Sequence, residues 1–149
     1  GLPRRVDGGE ADQILGQGDQ FVGHHQRAVR QREGIGAHLA AVARRAGHRE
    51  PEGLVLARLV VDEAEILTIA VDRSARGKGV GRLLMDMVLQ HLHAERALAL
   101  FLEVDETNVP ALALYRRLRF EEVGRRPAYY PGPDGQRTSA LIMKRTLRG

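Results

Sequence analysis

The chain has 149 residues, 43% of them apolar and 28% charged, with a formal charge of +4 at pH 7; this suits one domain with a real core and is too short for two comfortable ones. No apolar stretch approaches the ~20 residues of a membrane helix, no charged-then-apolar leader opens the chain, and without cysteine there is neither a disulfide framework nor a Cys-based zinc site, so a cytoplasmic protein with no membrane partner is expected. The positive balance favours an anionic partner, which could be nucleic acid, a phosphorylated cofactor or the ribosome.

The first residue is Gly1 rather than Met, as expected of a processed start, a tag remnant or a fragment. Residues 1 to about 50 form a divergent segment, rich in Gly, Gln, Arg and His and poor in core material. Within it GLPRRVDGGEADQILGQGDQ shows no persistent period and reads as loop. In IGAHLAAVARRAG (35–47), Ile35, Leu39 and Val42 fall near a 3.6 period and Gly47 is placed to end the turn, which predicts a helix. The compositional break raises the hypothesis of a shifted reading frame upstream; an in-frame gene encoding this same segment would end it.

From Gly53 the pattern sharpens. GLVLARLVV and EILTIAV, rich in β-branched residues around Asp62-Glu63-Ala64, predict an antiparallel hairpin. A glycine loop follows, then VGRLLMDMVLQHLHAE, with Val80, Leu83, Leu84, Met87 and Val88 on one helix face. LALFLEV (98–104) has the length and apolar continuity of a buried strand. VPALALYRRLRF restarts helical spacing after Asn108, with Pro110 in the first turn. FEEVGRR and SALIMKRTL predict two closing strands around the turn Pro131-Gly132-Pro133-Asp134-Gly135. The order β-β-loop-α-β-α-β-β implies an α/β (α+β) domain, a mixed sheet with helices packed on it.

The loop DRSARGKGVGRLLMDM (72–87) lies between a strand ending at Val71 and a helix beginning near Gly81, so unpaired main-chain N–H groups and the positive end of a helix dipole meet at one point. That is the physics of a phosphate site, and glycine lets the anion approach the amides. A nucleoside-triphosphatase loop requires Gly-Lys-Ser/Thr, but Lys78 precedes Gly79. A dinucleotide fingerprint requires Gly-x-Gly-x-x-Gly in an early βαβ unit, and the glycines here stand at 77, 79 and 81. The pattern Arg/Gln-x-x-Gly-x-Gly/Ala is met by Arg76, Gly79 and Gly81.

Three stretches in order, EILTIAVDRSARGKGVGRLLMD, LEVDETNVPALALYRRLRFEEVGRR and AYYPGPDGQRTSALIMKR, carry a resemblance. From about residue 53 to 145 the chain resembles the GNAT family of N-acetyltransferases, and within it the RimI-type ribosomal-protein-alanine acetyltransferases. The resemblance implies a single-domain GNAT fold, with the sheet splayed at the acetyl-coenzyme A site and helices on both faces. It implies that the amides of Gly77, Lys78, Gly79, Val80, Gly81 and Arg82, with Arg76, hold the diphosphate of acetyl-CoA. Ile69, Ala70 and Val71 would border the thioester, and Asn108 would contact the pantetheine arm; Asn108 reads equally as the N-cap of the helix that follows it.

Acetyl transfer from a thioester needs a neutral amine, a polarised carbonyl, a proton for the thiolate, and alignment. The resemblance makes Glu103 the general base, directly or through water; on residue type alone Glu103 reads as a strand-end carboxylate in solvent or paired with an arginine. It makes Tyr115 the general acid, a role compatible with packing on the sheet. A backbone N–H near Ala70 or Val71, on a strand the family splays with a bulge, would polarise the carbonyl. Tyr129 and Tyr130 would sit in a loop over the acceptor. The Met85 and Met87 side chains read as core, His91 and His93 point to different helix faces, His24 and His25 lack companions for a metal, and the arginines at 116–119 and 125–126 read as solvated surface.

The first fifty residues do not match the strand, two helices and aromatic stretch around a Phe and a Pro-Trp pair usual in RimI-type enzymes, the chain having no Trp, and Arg137-Thr138-Ser139 stands where the family often has an acidic pair. The expectation is an acetyl-CoA-dependent N-acetyltransferase, without metal, working from a ternary complex on the N-terminal amine of a ribosomal protein. It is expected to be a monomer or weak dimer with no direct nucleic-acid recognition. A small-molecule or lysine acetyltransferase and a catalytically silent coenzyme-A-binding module are the alternatives.

Overall fold

The computed structural model describes residues 25–30, 36–44 and 46–148. The loop expected in residues 1–20, and His24, lie outside them. Seven strands make one sheet in the order β1-β2-β3-β4-β5-β7-β6. The expected hairpin is β3 (Gly53–Val60) against β4 (Glu63–Val71), turning at Val61 and Asp62. Two strands precede it, β1 (His25–Arg30) and β2 (Ala37–Ala43), each antiparallel to the next.

The β2 strand corrects the helix expected over 35–47. Leu39, Ala41 and Ala43 face one buried cluster, while Ala40 and Val42 face another with Leu54. A strand buried on both faces has no polar alternation to betray it, and its alanines favour a helix in isolation. Pairing of Ala37 through Ala43 with Leu59 through Gly53 outweighs that local preference.

A 3-10 turn, Arg73–Ala75, leads through the glycine loop into α1 (Val80–Ala94), which crosses back to β5 (Ala99–Asp105). Parallel β4 and β5 require such a crossover. Their ladder is short, running only through Glu63↔Ala99, Ala64↔Leu100 and Glu65↔Phe101. Beyond it β4 contains a bulge: Leu56 pairs with Thr68 and Ala57 with Ile66, leaving Leu67 without a partner in β3. A bulge bends its strand and sharpens the twist, so the ends of β4 and β5 part. The expected splay is present.

The second helix, α2 (Val109–Arg117), is followed by β6 (Glu121–Pro131) and β7 (Arg137–Thr146). The β6 strand runs further than expected, so Tyr129 and Tyr130 lie in a strand rather than a loop. That stretch is irregular: Arg126 pairs with Ala140 and Tyr130 with Thr138, so three residues of β6 face one of β7.

Buried residues of both helices, among them Leu84, Val88, Leu112 and Tyr115, join Val55, Leu100, Leu102, Leu141 and Met143 in one cluster. Helices were expected on both sheet faces; among the described residues both α-helices pack on this one face. Leu84, Met85, Leu92, Leu100 and Met143 are fully buried, and truncating such a side chain to alanine costs about 2–5 kcal/mol. The methionines are core, as expected.

Candidate active site

The glycine loop presents donors. Gly77 and Gly79 have φ of +74° and +85°, a left-handed conformation that a Cβ disfavours, and no heavy atom lies within 4 Å of where that Cβ would stand. Gly79 is the N-cap of α1 and supplies no side-chain cap. Arg76 N–H donates to Arg73 O, Lys78 N–H to Ala75 O and Leu83 N–H to Gly79 O. Among the described residues the amides of Gly77, Gly79, Val80, Gly81 and Arg82 donate to no backbone oxygen, and they sit where the dipole of the 15-residue α1 is positive. Arg76, Lys78 and Arg82 are exposed around them, Arg82 leaning on Asp86 at 3.3 Å. Gly81 serves packing: a Cβ there would lie 3.4 Å from Leu114 of α2.

The loop opens onto the gap between β4 and β5. Asp72 N–H donates to Glu52 O at 2.8 Å. Because an antiparallel ladder alternates, Ala70 then turns its main chain toward β3, while Ile69 and Val71 turn theirs toward the gap. This narrows the expected pair of donors, Ala70 or Val71, to Val71, with Ile69 beside it.

Asn108 caps α2, its Oδ1 accepting from Ala111 N–H at 3.3 Å. Tyr115, about two helical turns further on, is 5% exposed and meets Phe120 edge-on with ring centroids 5.8 Å apart. Burial pushes its phenol up to about 12, and no hydrogen bond reaches its hydroxyl among the described residues. Its proton therefore stays on throughout the neutral range.

On the sheet face turned away from the helices, Glu103 is exposed and pairs with Arg126, Nη2 to Oε1 3.1 Å. Asp105 accepts from Thr107 N–H at 2.9 Å and from the Thr138 hydroxyl at 2.8 Å, and those bonds, the Thr107 amide first, hold its carboxyl below its ordinary range. Glu106 pairs with Arg125 at 2.9 Å and accepts from Ser139 N–H at 3.1 Å. Tyr129 and Tyr130 meet edge-on at 5.1 Å, and the Arg126 guanidinium stands 5.4 Å from the Tyr129 centroid. Burial, then the nearby Glu103 charge, pushes the Tyr130 phenol up.

Two expectations change here. Arg125 and Arg126 are exposed, as expected, but they are also the partners of Glu106 and Glu103; separations of 19 and 23 residues, bridged by strand register, hid this from the sequence. Arg137, Thr138 and Ser139 likewise belong to this cluster, the Arg137 guanidinium donating to Ala128 O at 3.4 Å. Among the described residues no group of three or more His, Asp or Glu could hold a metal ion, and no helix is long and apolar enough to cross a membrane. A polar surface pocket of about 220 Å³, lined by His48, Glu52, Asp72 and Ser74 among others, lies beyond the end of β4.

A model of the acetyltransferase (GNAT) family matches residues 35–120, more than half of the chain. The [ribosomal protein bS18]-alanine N-acetyltransferase of Escherichia coli is 40% identical over 88 residues, which are 59% of this chain and 59% of that enzyme. The enzyme of the same name from Haemophilus influenzae is 37% identical over 91 residues, 61% of this chain and 62% of its own. The chain thus spans about three fifths of the length of these relatives. Among solved structures, the Escherichia coli ribosomal-protein-S18-alanine N-acetyltransferase superposes with a TM-score of 0.68 at 32% identity, covering 80% of this chain and 73% of that one. Arabidopsis thaliana NAA60, in complex with a bisubstrate analogue, superposes with a TM-score of 0.61 at 25% identity, covering 76% of each.

Proposed function

Since this chain belongs to the acetyltransferase (GNAT) family, we propose that it transfers the acetyl group of acetyl-CoA to a primary amine, the N-terminal α-amine of a ribosomal protein. The observation that carries the reading is the meeting, at one place, of the amides of Gly77 and of Gly79 to Arg82, which donate to no backbone oxygen among the described residues, with an open gap between β4 and β5. The residues present fit the cofactor: left-handed glycines leave open space in front of the amides, and Arg76, Lys78 and Arg82 add positive charge for phosphates. Bound there, acetyl-CoA supplies an activated thioester.

The chain's own groups do the rest. Val71 N–H, aimed into the gap, donates to the acyl oxygen as negative charge develops on it. Glu103 accepts the proton of the acceptor amine. Tyr115, at about 12, donates a hydrogen bond to the departing sulfur; full transfer to a thiolate of ordinary pKa ~8.5 would be uphill by about 5 kcal/mol, so the bond matters more than the transfer. Asn108 retains its Nδ2 hydrogens for the pantetheine arm while Oδ1 caps α2. Tyr129 and Tyr130 flank the acceptor. A terminal amine (pKa ~8) is easier to neutralise than lysine (~10.4) by about 3 kcal/mol near pH 7, which favours an N-terminus, as do the relatives whose names specify a ribosomal-protein alanine. The described residues and those before them are read as one domain working in the cytoplasm as a monomer or weak dimer.

The test is acetyl transfer from acetyl-CoA to an Ala-initiated peptide, with a polyamine as rival acceptor. The peptide is expected to be preferred, and Glu103→Gln to lower kcat about 10²-fold with coenzyme affinity unchanged. A polyamine preference refutes the acceptor, and an unchanged kcat in Glu103→Gln refutes the base.

A further inference from the structure

Away from the helix-covered cluster, β5, β7 and β6 place one group of side chains together. Arg126 and Asp105 both lie opposite Ala140, and Glu103 lies opposite Ile142 two pairs further along, on the same face. Ala140 has nothing beyond Cβ, so the Arg126 side chain passes over β7 and reaches Glu103 at 3.1 Å. The same guanidinium also lies 5.4 Å from the Tyr129 ring centroid. A carboxylate facing an aromatic ring is a seat for a cation, and here an arginine of the chain occupies it.

The neighbouring charges are already engaged. Asp105 is held by Thr107 and Thr138, and Glu106 by Arg125 and Ser139 N–H. Among the described residues Arg126 is the cation paired with Glu103. That pair is wet, its side chains keeping 52% and 33% of their exposure, and an ion pair so placed is weak enough to be exchanged.

We propose that Arg126 is a placeholder for the acceptor's ammonium and thereby a specificity-determining residue. The acceptor enters protonated, takes the seat between Glu103 and Tyr129, and displaces the guanidinium; an uncharged or N-blocked end has nothing with which to compete. This rests on the reading of Glu103 as the group that meets the amine.

Calorimetry tests it with an Ala-initiated peptide titrated into the protein saturated with coenzyme A, which lacks the acetyl group and permits no turnover. Arg126→Gln is expected to bind the peptide about threefold to tenfold more tightly, the size of an exposed ion pair plus an exposed cation–π contact. Arg125→Gln, which loses only the Glu106 and Ser139 contacts, is expected to bind as the wild type does. In the wild-type protein the Arg126 Nε–H resonance is expected to move as peptide is added and to stay still with the N-acetylated peptide. Weaker or unaltered binding by Arg126→Gln, or a resonance that stays still while the free peptide binds, overturns the proposal. Normal wild-type turnover combined with either result removes this inference alone; a protein that takes up no coenzyme A and acetylates nothing removes the functional reading with it.

Discussion

Replacing Gly79 with alanine separates conformational strain from loss of a phosphate seat, because the chain contains a matched control. Gly79 and Gly47 have nearly the same φ, +85° and +83°, and at neither does any heavy atom lie within 4 Å of an added Cβ. Both substitutions therefore incur the same left-handed penalty, about 1–2 kcal/mol. For a domain of this size that lowers Tm by about 2–8 °C. They differ in what the open space is for. At Gly79 it lies in front of the unpaired amides that open α1, so a methyl group keeps a diphosphate from its donors. Each charge-assisted hydrogen bond contributes about 1.5–3 kcal/mol, so losing one or weakening two reduces coenzyme A affinity by about tenfold to a hundredfold. Differential scanning fluorimetry reads the shared loss of stability, and isothermal calorimetry with coenzyme A reads the affinity. If Gly79→Ala binds coenzyme A within about twofold of Gly47→Ala, the glycine loop is not the phosphate seat and the functional reading falls.

Tyr115→Phe removes only a buried hydroxyl, so kcat is expected to fall about 10²-fold while the urea midpoint at pH 7 barely moves; an unchanged kcat refutes the hydrogen bond to sulfur. The same variant carries a pH signature. With the folded-state value raised from 10.0 to about 12, the folded protein retains a proton that the unfolded chain releases, so the stabilisation is complete below pH 10 and is lost as pH rises toward 12, about 3 kcal/mol in all. Urea titrations at pH 9 and pH 11 are expected to show about half of that loss, ~1.4 kcal/mol, in the wild type and none of it in Tyr115→Phe. Leu84→Ala empties a fully buried site beneath α1 and is expected to cost about 2–5 kcal/mol, read from the urea midpoint; a change below about 1 kcal/mol contradicts the packing described. Asn108→Ala removes the α2 cap and is expected to lower stability by about 0.5–2 kcal/mol, with calorimetry showing whether coenzyme A affinity falls as well.

Much of this was legible because local chemistry and tertiary structure agree from Gly53 onward. The β3–β4 hairpin has β-branched runs, α1 has a clear apolar face, and α2 has Asn108 followed by Pro110. The β2 strand was misread because its signal is not local: AHLAAVA is helix-prone by composition and becomes a strand by lying between β1 and β3. Pro127 and Pro131 made β6 look shorter than it is, although prolines are tolerated on an outer strand. An arginine partner for Glu103 is an option the sequence leaves open, but which arginine it is cannot be read there. It depends on β7 lying between β5 and β6 and on Ala140 being the residue over which Arg126 crosses, facts of pairing that no window of sequence contains.

The place of β6 at the margin of the sheet has a consequence for solubility. Strand margins invite docking by other chains, which ends in aggregation. Here Pro127 and Pro131 remove two donors, the offset between Arg126 and Tyr130 breaks the regular spacing, and Ala128, at φ +51°, turns its N–H to the Ser139 hydroxyl at 3.4 Å. A stray strand arriving at that flank meets no continuous row of hydrogen-bonding groups, so the features that aim Arg126 and Tyr129 also keep neighbouring molecules from zipping onto the protein.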